Sequence, residues 1–265
     1  MCDGRITTTF ETHEDKGKVA TVLIDRAAKS NALSVAQAAR MRDAFVALRT
    51  EPDLRAVVLT GAGDKAFMGG ADLTQLGSLD RATARRYITS VHDICAGIRG
   101  CPVPVIARVN GFCIGAGMEI AAACDIRVVA GRAVFSMPEV QVGVPSVIEA
   151  ALLPLLIGHG HTRWLVLTGE AIDAHTADRW GFVDVLSEDG ALDEAVQRTV
   201  ASIVNAGPIA VRTQKQLVNQ WERLAVSDAV AAGIDAFEAA YTSDEPRRYV
   251  DALLARRAKV KAHRA

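Results

Sequence analysis

Two glutamates stand alone in apolar stretches of the sequence, and each lies beside glycine-rich backbone. Glu119 precedes the run Ile120–Ala123, and Glu139 lies within the segment 135–145. A carboxylate among apolar residues is costly unless it has a purpose. One such acid is more often a structural residue or a helix-capping carboxylate, whereas two beside glycine-rich backbone indicate a general acid/base pair.

The first glycine-rich segment, residues 65–72, directly follows a predicted buried strand. Gly69 and Gly70 can adopt conformations closed to other residues and let the backbone come close to a ligand. A backbone N–H group in such a turn can point at a developing negative charge. The alternative interpretation is an ordinary strand-to-helix turn.

The second glycine-rich segment, residues 110–117, joins a predicted strand to a predicted helix. Free N–H groups and the positive end of the helix dipole meet there and favour an anion. A nucleotide-phosphate loop is the alternative, but neither GxGxxG nor GxxxxGK is present, which argues against a nucleotide-dependent oxidoreductase. The residues alone therefore predict an enzyme whose active site lies between the segments 66–72 and 110–139.

Four apolar, β-branched runs are nearly continuous, as expected for strands that are covered on both faces. These runs are Val19–Ile24, Ala56–Thr60, Val105–Val109 and Asp125–Ala130. Helices are predicted between them, one starting at a capping box of Ser34 and Gln37 and others at Arg81–Arg99 and Gly117–Ala123. Strands that alternate with helices indicate an α/β fold.

After about residue 190 the sequence pattern is almost entirely helical. The predicted helices are 191–205, 209–224, 227–241 and 246–264. We therefore divide the chain into an α/β core, residues 1–190, and a helical region, residues 191–265. Such a region is typical of a lid, an oligomerisation element, or both.

Three segments resemble the enoyl-CoA hydratase/isomerase (crotonase) family in their order and spacing. They are FMGGAD at 67–72, VNGFCIGAGMEIAAACDI at 109–126 and FSMPEVQVGVP at 135–145. Shorter matches at 26–33, 167–172 and 177–183 extend the resemblance over about residues 20–190. It implies a crotonase-like ββα spiral with a C-terminal helical trimerisation region. It also implies a homotrimer or dimer of trimers and an acyl-CoA thioester bound in the core.

The same resemblance assigns roles to individual residues. It implies an oxyanion hole formed by the backbone N–H groups of Ala71 and Ala116, with Glu119 activating water and Glu139 exchanging the proton on the α-carbon. Further positions that it places against the substrate or its coenzyme A are Lys29, Ala32, Leu33, Ala66, Met68, Gly69, Asp72 and Leu73. The implied chemistry needs no metal and no cofactor beyond the coenzyme A of the substrate.

The presence of both glutamates favours an enoyl-CoA hydratase, which is a lyase. The resemblance leaves open an enoyl-CoA isomerase, with Glu139 as the sole base, or another enolate reaction of this family. A non-catalytic member that only binds a CoA thioester is a more distant alternative.

The segment after Glu139 departs from the family pattern. Hydratases of the family usually have a glycine-rich turn there, whereas residues 143–153 are one residue shorter and include a third acid, Glu149. Glu149 is either an acid of the acyl pocket that changes the reaction or a structural carboxylate stabilised by a helix N-terminus.

Composition argues against other classes of function. The 265-residue chain has a formal net charge of −1, which gives no reason to expect nucleic acid or an anionic membrane surface as the main partner. The apolar stretch 144–157 is interrupted by Glu149 and Pro154 and is too short to span a bilayer. His159 and His161 lack the neighbouring ligands that a metal site needs.

The cysteine pattern favours a reducing compartment. An odd number of cysteines without a CxxC pair is typical of reduced, buried thiols. They are Cys2, Cys95, Cys101, Cys113 and Cys124. Since the first residues carry no apolar leader segment, we expect a soluble cytoplasmic protein.

Overall fold

The structure is a computed structural model that describes residues 4–188 and 190–262. Its strands are β1 (Arg5–His13), β2 (Gly17–Asp25), β3 (Leu54–Gly61), β4 (Ala66–Met68), β5 (Val105–Val109), β6 (Phe112–Ile114), β7 (Ile126–Ala130), β8 (Val134–Ser136), β9 (Ile172–Asp173) and β10 (Val185–Ser187). Its α-helices are α1 (Val35–Leu48), α2 (Leu73–Leu76), α3 (Arg81–Arg99), α4 (Ala116–Ala123), α5 (Leu153–Thr168), α6 (Ala174–Trp180), α7 (Leu192–Val204), α8 (Pro208–Trp221), α9 (Val226–Ala240) and α10 (Glu245–Ala262). Short 3₁₀ helices span Ala27–Lys29, Pro138–Val142 and Ile148–Leu152.

The strands form two sheets. The larger has the order β1-β2-β3-β5-β7-β10, with β1 antiparallel to β2 and all other pairs parallel. The smaller has the order β4-β6-β8-β9, in which β4, β6 and β8 are parallel and β9 is antiparallel. The four predicted strands are confirmed as β2, β3, β5 and β7, and all four lie in the larger sheet.

The chain alternates between the two sheets, so that β3 is followed by β4, β5 by β6, and β7 by β8. Helices α2 and α3 follow the first pair, and α4 follows the second. This repeat is the predicted ββα spiral. The short strands of the smaller sheet are not among the predicted elements, because three residues are too few to show a period.

Local sequence signals explain how the first long helix forms. The Ser34 side chain accepts the N–H of Gln37, and the Gln37 side chain accepts the N–H of Ser34, which confirms the predicted capping box. Met41 and Phe45, on the apolar stripe of α1, are completely buried. The stripe therefore holds the helix against the core.

The cysteines of the described chain are buried and form no disulfide; they are Cys95, Cys101, Cys113 and Cys124. Burial raises the pKa of the Cys95 and Cys113 thiols, so both remain protonated and unreactive. Cys2 lies outside the described residues. No helix among the described residues is both long and apolar enough to cross a membrane.

The chain divides into two compact units, one up to residue 201 and the other from residue 202. In the second unit, the buried carboxylate of Glu245 accepts the N–H groups of Ile209 and Ala210 at the start of α8. A carboxylate at a helix N-terminus satisfies free N–H groups and the helix dipole. The four predicted helices are confirmed as α7 to α10, although the predicted end at residue 264 lies outside the described residues. The roles predicted for residues 1–190 and 191–265 stay predictions.

Candidate active site

Three parallel strands of the smaller sheet bring the predicted site residues together. Ala71 follows β4, Ala116 follows β6, and Glu139 follows β8. Because parallel strands in register end at the same edge of a sheet, the segments that follow them must converge. The short strands that the sequence did not reveal are therefore the elements that position the site.

The N–H group of Ala71 points away from the neighbouring segment that contains Leu33. Leu33 forms an isolated parallel bridge to Ala71, donating its N–H to Gly70 O at 2.8 Å and accepting the N–H of Asp72 at 3.1 Å. These two bonds occupy one side of the backbone at residue 71. The Ala71 N–H therefore points to the opposite side, and within the described chain it donates to no backbone oxygen.

The N–H group of Ala116 is unused because it opens a helix. Gly115 has φ 53° and ψ −119°, and its own N–H donates to Ser136 O at 2.8 Å on the neighbouring strand. The carbonyl of Gly115 accepts the first intrahelical bonds, from Met118 and Glu119. Ala116 occupies the first helical position, where an N–H has no partner within the helix.

Both alanines line a cavity of about 310 Å³. Its walls are mostly apolar and come from α2, α3 and the segment 144–147. Among the described residues, the charged side chains on its lining are Arg85, Glu119 and Glu139. An apolar cavity with a few convergent polar groups is the usual form of a small-molecule site.

Glu119 is the more deeply buried of the two acids, with 3% of its surface exposed. Its Oε1 is buried and has no hydrogen-bond partner in the described chain. Burial, and then the negative charges of Glu139 and Glu149, raise the pKa of Glu119 to about 8, although the nearby N–H groups of Ala150 and Val147 oppose the shift. A carboxyl group with this pKa can accept or release a proton near neutral pH.

Glu139 is only half-buried, and a hydrogen bond holds one of its two oxygens. Ser146 donates its hydroxyl to Glu139 Oε2 at 2.7 Å. The other oxygen, Oε1, lies 2.4 Å from the position that a Cβ on Gly115 would occupy. Gly115 therefore supplies both a positive φ and the space that Glu139 fills. The sequence did not identify Ser146, since a serine in a turn carries no distinctive pattern.

The chain is similar to known proteins over most of its length. The model of the enoyl-CoA hydratase/isomerase family matches residues 14–260. The chain belongs to this family. It is 31% identical over 245 residues to crotonyl-CoA hydratase of Syntrophomonas wolfei, covering 92% of this chain and 94% of that protein. It is 33% identical to (E)-benzylidenesuccinyl-CoA hydratase of Thauera aromatica, covering 77% of this chain and 80% of that protein.

Solved structures of the family confirm the predicted crotonase fold. The crystal structure of enoyl-CoA hydratase from Bacillus anthracis has a TM-score of 0.89 at 27% identity, covering 95% of this chain and 96% of that one. The corresponding values for enoyl-CoA hydratase from Mycobacterium smegmatis are 0.88 and 28%, covering 94% of this chain and 96% of that one.

The residues that the family resemblance places against coenzyme A form two adjacent strips. Gly69 N–H donates to Ser30 O at 2.8 Å, which joins the strip containing Lys29, Ala32 and Leu33 to the strip after β4. Lys29 and Leu73 are exposed, Ala32 and Gly69 are partly exposed, and Leu33, Ala66 and Met68 are buried. Binding of coenzyme A by these strips stays a prediction.

The Asp72 carboxylate already forms contacts within the protein. It accepts the N–H of Thr74 at the start of α2 and forms a 2.7 Å ion pair with Arg26. The hydrogen bond from Arg26 is the main reason why the pKa of Asp72 is lowered. This carboxylate shapes the turn after Ala71.

Two buried asparagines that the sequence analysis did not single out brace the same turns. Asn31 donates its side-chain amide to Ala62 O at 3.0 Å and to Ala66 O at 2.8 Å. Asn110 donates to Gly61 O at 3.1 Å. In the sequence, this role is indicated by the position of each asparagine, which precedes an alanine or a glycine within a family motif.

Glu149 lies in the first turn of the 3₁₀ helix Ile148–Leu152 and does not line the cavity. Its Oε1 is 2.9 Å from Nδ1 of His92 on α3. The sequence suggests that Glu149 is either an acid of the pocket or a carboxylate that caps a helix. Neither interpretation includes a contact with His92, because the two residues are 57 positions apart. Of the other histidines, His161 bonds to Ile157 O and stacks on Trp180.

The raised pKa of Glu119 is expected to make the protein less stable as the pH rises. The folded state keeps this proton up to about pH 8, whereas the unfolded chain releases it near 4.5. The stabilising contribution is therefore fully present below the unfolded value and is lost as the pH rises through the folded value. Each pKa unit corresponds to about 1.4 kcal/mol, so the loss amounts to a few kcal/mol.

Urea unfolding of the wild type and Glu119→Gln from about pH 5 to about pH 9 measures this effect. The midpoint of the wild type should fall with pH more steeply than that of the variant, whose side chain does not ionise. Parallel curves would show that Glu119 titrates at the same pH in both states.

Proposed function

We propose that the protein is an enoyl-CoA hydratase, which adds water across the double bond of a 2-enoyl-CoA thioester. The observation that carries the proposal is that Glu119 and Glu139 line the same cavity as Ala71 and Ala116. The N–H groups of both alanines lack backbone acceptors in the described chain. The relatives at 31% identity that are named crotonyl-CoA hydratase and short-chain-enoyl-CoA hydratase support the same reaction.

The thioester carbonyl oxygen would lie between the N–H groups of Ala71 and Ala116. Attack of water on the β-carbon moves negative charge onto this oxygen, so two fixed donors stabilise the enolate more than the ground state. The apolar cavity would hold the acyl chain and exclude bulk water. No metal and no further cofactor take part in this mechanism.

The two acids would divide the proton transfers. The ionised form of Glu119, whose share grows as the pH approaches about 8, accepts a proton from the attacking water as its oxygen bonds to the β-carbon, and protonated Glu139 then gives its proton to the α-carbon. The sum is one water added per double bond. Glu119 is left protonated and Glu139 ionised, and exchange with solvent restores both.

The decisive experiment follows the product by mass as well as by absorbance. Purified protein is incubated with a short and a medium-length 2-enoyl-CoA, and the loss of conjugated-thioester absorbance is recorded. A hydratase gives a product heavier by one water molecule. A product of unchanged mass would identify an isomerase instead, and bound but unconverted thioester would identify a non-catalytic binding protein.

We also propose that the protein forms a homotrimer, or a dimer of trimers, and works in the cytoplasm. One face of α9 supports self-association, because apolar side chains recur there at helical spacing and are exposed in the single chain. They are Val226, Val230, Ile234, Phe237 and Tyr241. The buried cysteines, which form no disulfide, support a reducing compartment.

Placing charge on this stripe is expected to break the oligomer. The double substitution Ile234→Asp and Phe237→Asp should reduce the mass measured by light scattering to that of a single chain, since buried unpaired charges oppose association. Asp235→Asn, which changes an exposed neighbour outside the stripe, is the matched control and should keep the mass. An unchanged mass in the double variant would place the interface elsewhere.

A further inference from the structure

A third acid, Glu149, lies beside Glu119 but does not line the cavity, since it stands between Val147 and Ala150, whose N–H groups hydrogen-bond to the Glu119 carboxylate. Glu149 is 8% exposed, and its Oε2 is buried without a hydrogen-bond partner in the described chain. Its Oε1 contacts Nδ1 of His92 at 2.9 Å. A buried carboxylate is costly unless it is paired, so this contact and a side-chain hydrogen bond with Cys95 offset the burial of Glu149.

The two partners differ strongly in exposure. The His92 side chain is 51% exposed, whereas that of Glu149 is 10% exposed. The pair therefore has one member in solvent and one in the interior. The imidazole of His92 therefore compensates the buried Glu149 carboxylate from the solvent side.

Glu149 is one of several titratable groups around Glu119. Glu139 follows β8, and Glu149 lies in the first turn of the 3₁₀ helix at 148–152. Tyr87 and Arg85 line the cavity from α3, and Cys95 of the same helix forms a side-chain hydrogen bond with Glu149. Burial raises the pKa of the Tyr87 hydroxyl and of the Cys95 thiol, so both stay neutral. The negative charges that raise the pKa of Glu119 therefore belong to Glu139 and Glu149.

These two sources of charge have different tasks. Glu139 lines the cavity and changes its charge during each turnover of the proposed reaction. Glu149 is outside the cavity and is held by a solvent-facing partner, so its charge does not follow the reaction. We propose that His92 and Glu149 are positioning residues that set the charge state of Glu119 before each turnover. This inference rests on the proposed hydratase function, in which Glu119 must be ionised to accept a proton.

The test is the dependence of kcat/KM on pH in variants of the two residues. Glu149→Gln removes the negative charge and should move the acid limb of the profile to lower pH by roughly one unit. His92→Gln removes the imidazole that contacts the Glu149 carboxylate at 2.9 Å, so the buried charge is less compensated and the same limb should move to higher pH. Glu149→Asp keeps the charge and should restore the wild-type limb. Each variant is checked for folding by circular dichroism.

The opposite pH shifts expected for Glu149→Gln and His92→Gln distinguish a positioning role from a purely structural one. If both variants lose activity or stability with the limb unmoved, the pair only supports the fold. A shift in Glu149→Gln without one in His92→Gln would overturn the role of His92.

A measurement without substrate separates this inference from the hydratase proposal. The carbonyl band of protonated Glu119, identified in infrared pH titrations by its loss in Glu119→Gln, should shift its midpoint in the same two directions. If the wild type hydrates no enoyl-CoA but this midpoint still shifts, the function is wrong and the charge coupling is right. An unmoved midpoint overturns the coupling whatever the activity.

Discussion

Replacing Glu119 with glutamine is expected to slow hydration of a 2-enoyl-CoA by about 10²–10⁴-fold. Glutamine has nearly the same shape, but its amide does not accept the proton of the attacking water. The Glu119 Oε1 has no partner in the described chain, so the exchange breaks no hydrogen bond at that oxygen. Binding of the thioester should change little, because the Ala71 and Ala116 donors remain. Initial rates and KM for the wild type and the variant measure the effect.

The matched control is Glu170→Gln, the same chemical change at an exposed glutamate. It should leave the hydration rate unchanged. A double-bond shift that survives Glu119→Gln at full rate would assign the reaction to an isomerase with Glu139 as its base. A hydration rate near that of the wild type in Glu119→Gln would remove Glu119 from the mechanism altogether.

Replacing Ala116 with proline is expected to lower kcat by about 10²–10³-fold, the usual effect of losing one oxyanion donor. Proline has no backbone N–H, and the first position of a helix is where it is best tolerated. Ala116 occupies that position in α4, so the helix loses no bond of its own. The substitution therefore removes the donor and leaves the glutamates in place.

Ala116→Gly is the comparison, since glycine keeps the backbone N–H. It should retain a kcat close to that of the wild type, and both variants should unfold at similar temperatures. If Ala116→Pro is folded and as active as Ala116→Gly, the thioester oxygen does not bind at this N–H.

Helices and strands whose residue pattern is long enough to repeat were predictable from the sequence. Functional residues were predictable where their type conflicts with that of their neighbours. The β-branched runs became strands of the larger sheet, and the Ser34 capping box began α1 where expected. Glu119 stood out because a lone acid in an apolar helix needs an explanation. These signals are local, since each one is complete within a few residues.

The remaining features depend on contacts between distant parts of the chain. The three-residue strands exist only because neighbouring strands pair with them. Ser146 contacts Glu139 across a turn, and His92 meets Glu149 from a separate helix. The family resemblance placed Asp72 against coenzyme A, but it did not reveal the ion pair with Arg26 that occupies this carboxylate. A single sequence carries no signal for such pairings.

The two donors of the proposed oxyanion hole belong to the main chain, after β4 and after β6. Every amino acid except proline supplies the same N–H, so evolution can exchange the side chains at 71 and 116 without losing enolate stabilisation. The acids at 119, 139 and 149 have no such protection, because their chemistry lies in their side chains. New reactions can therefore evolve most readily by substitution of these three acids. A library of variants at the three positions would sample different enolate reactions while the oxyanion hole stays the same.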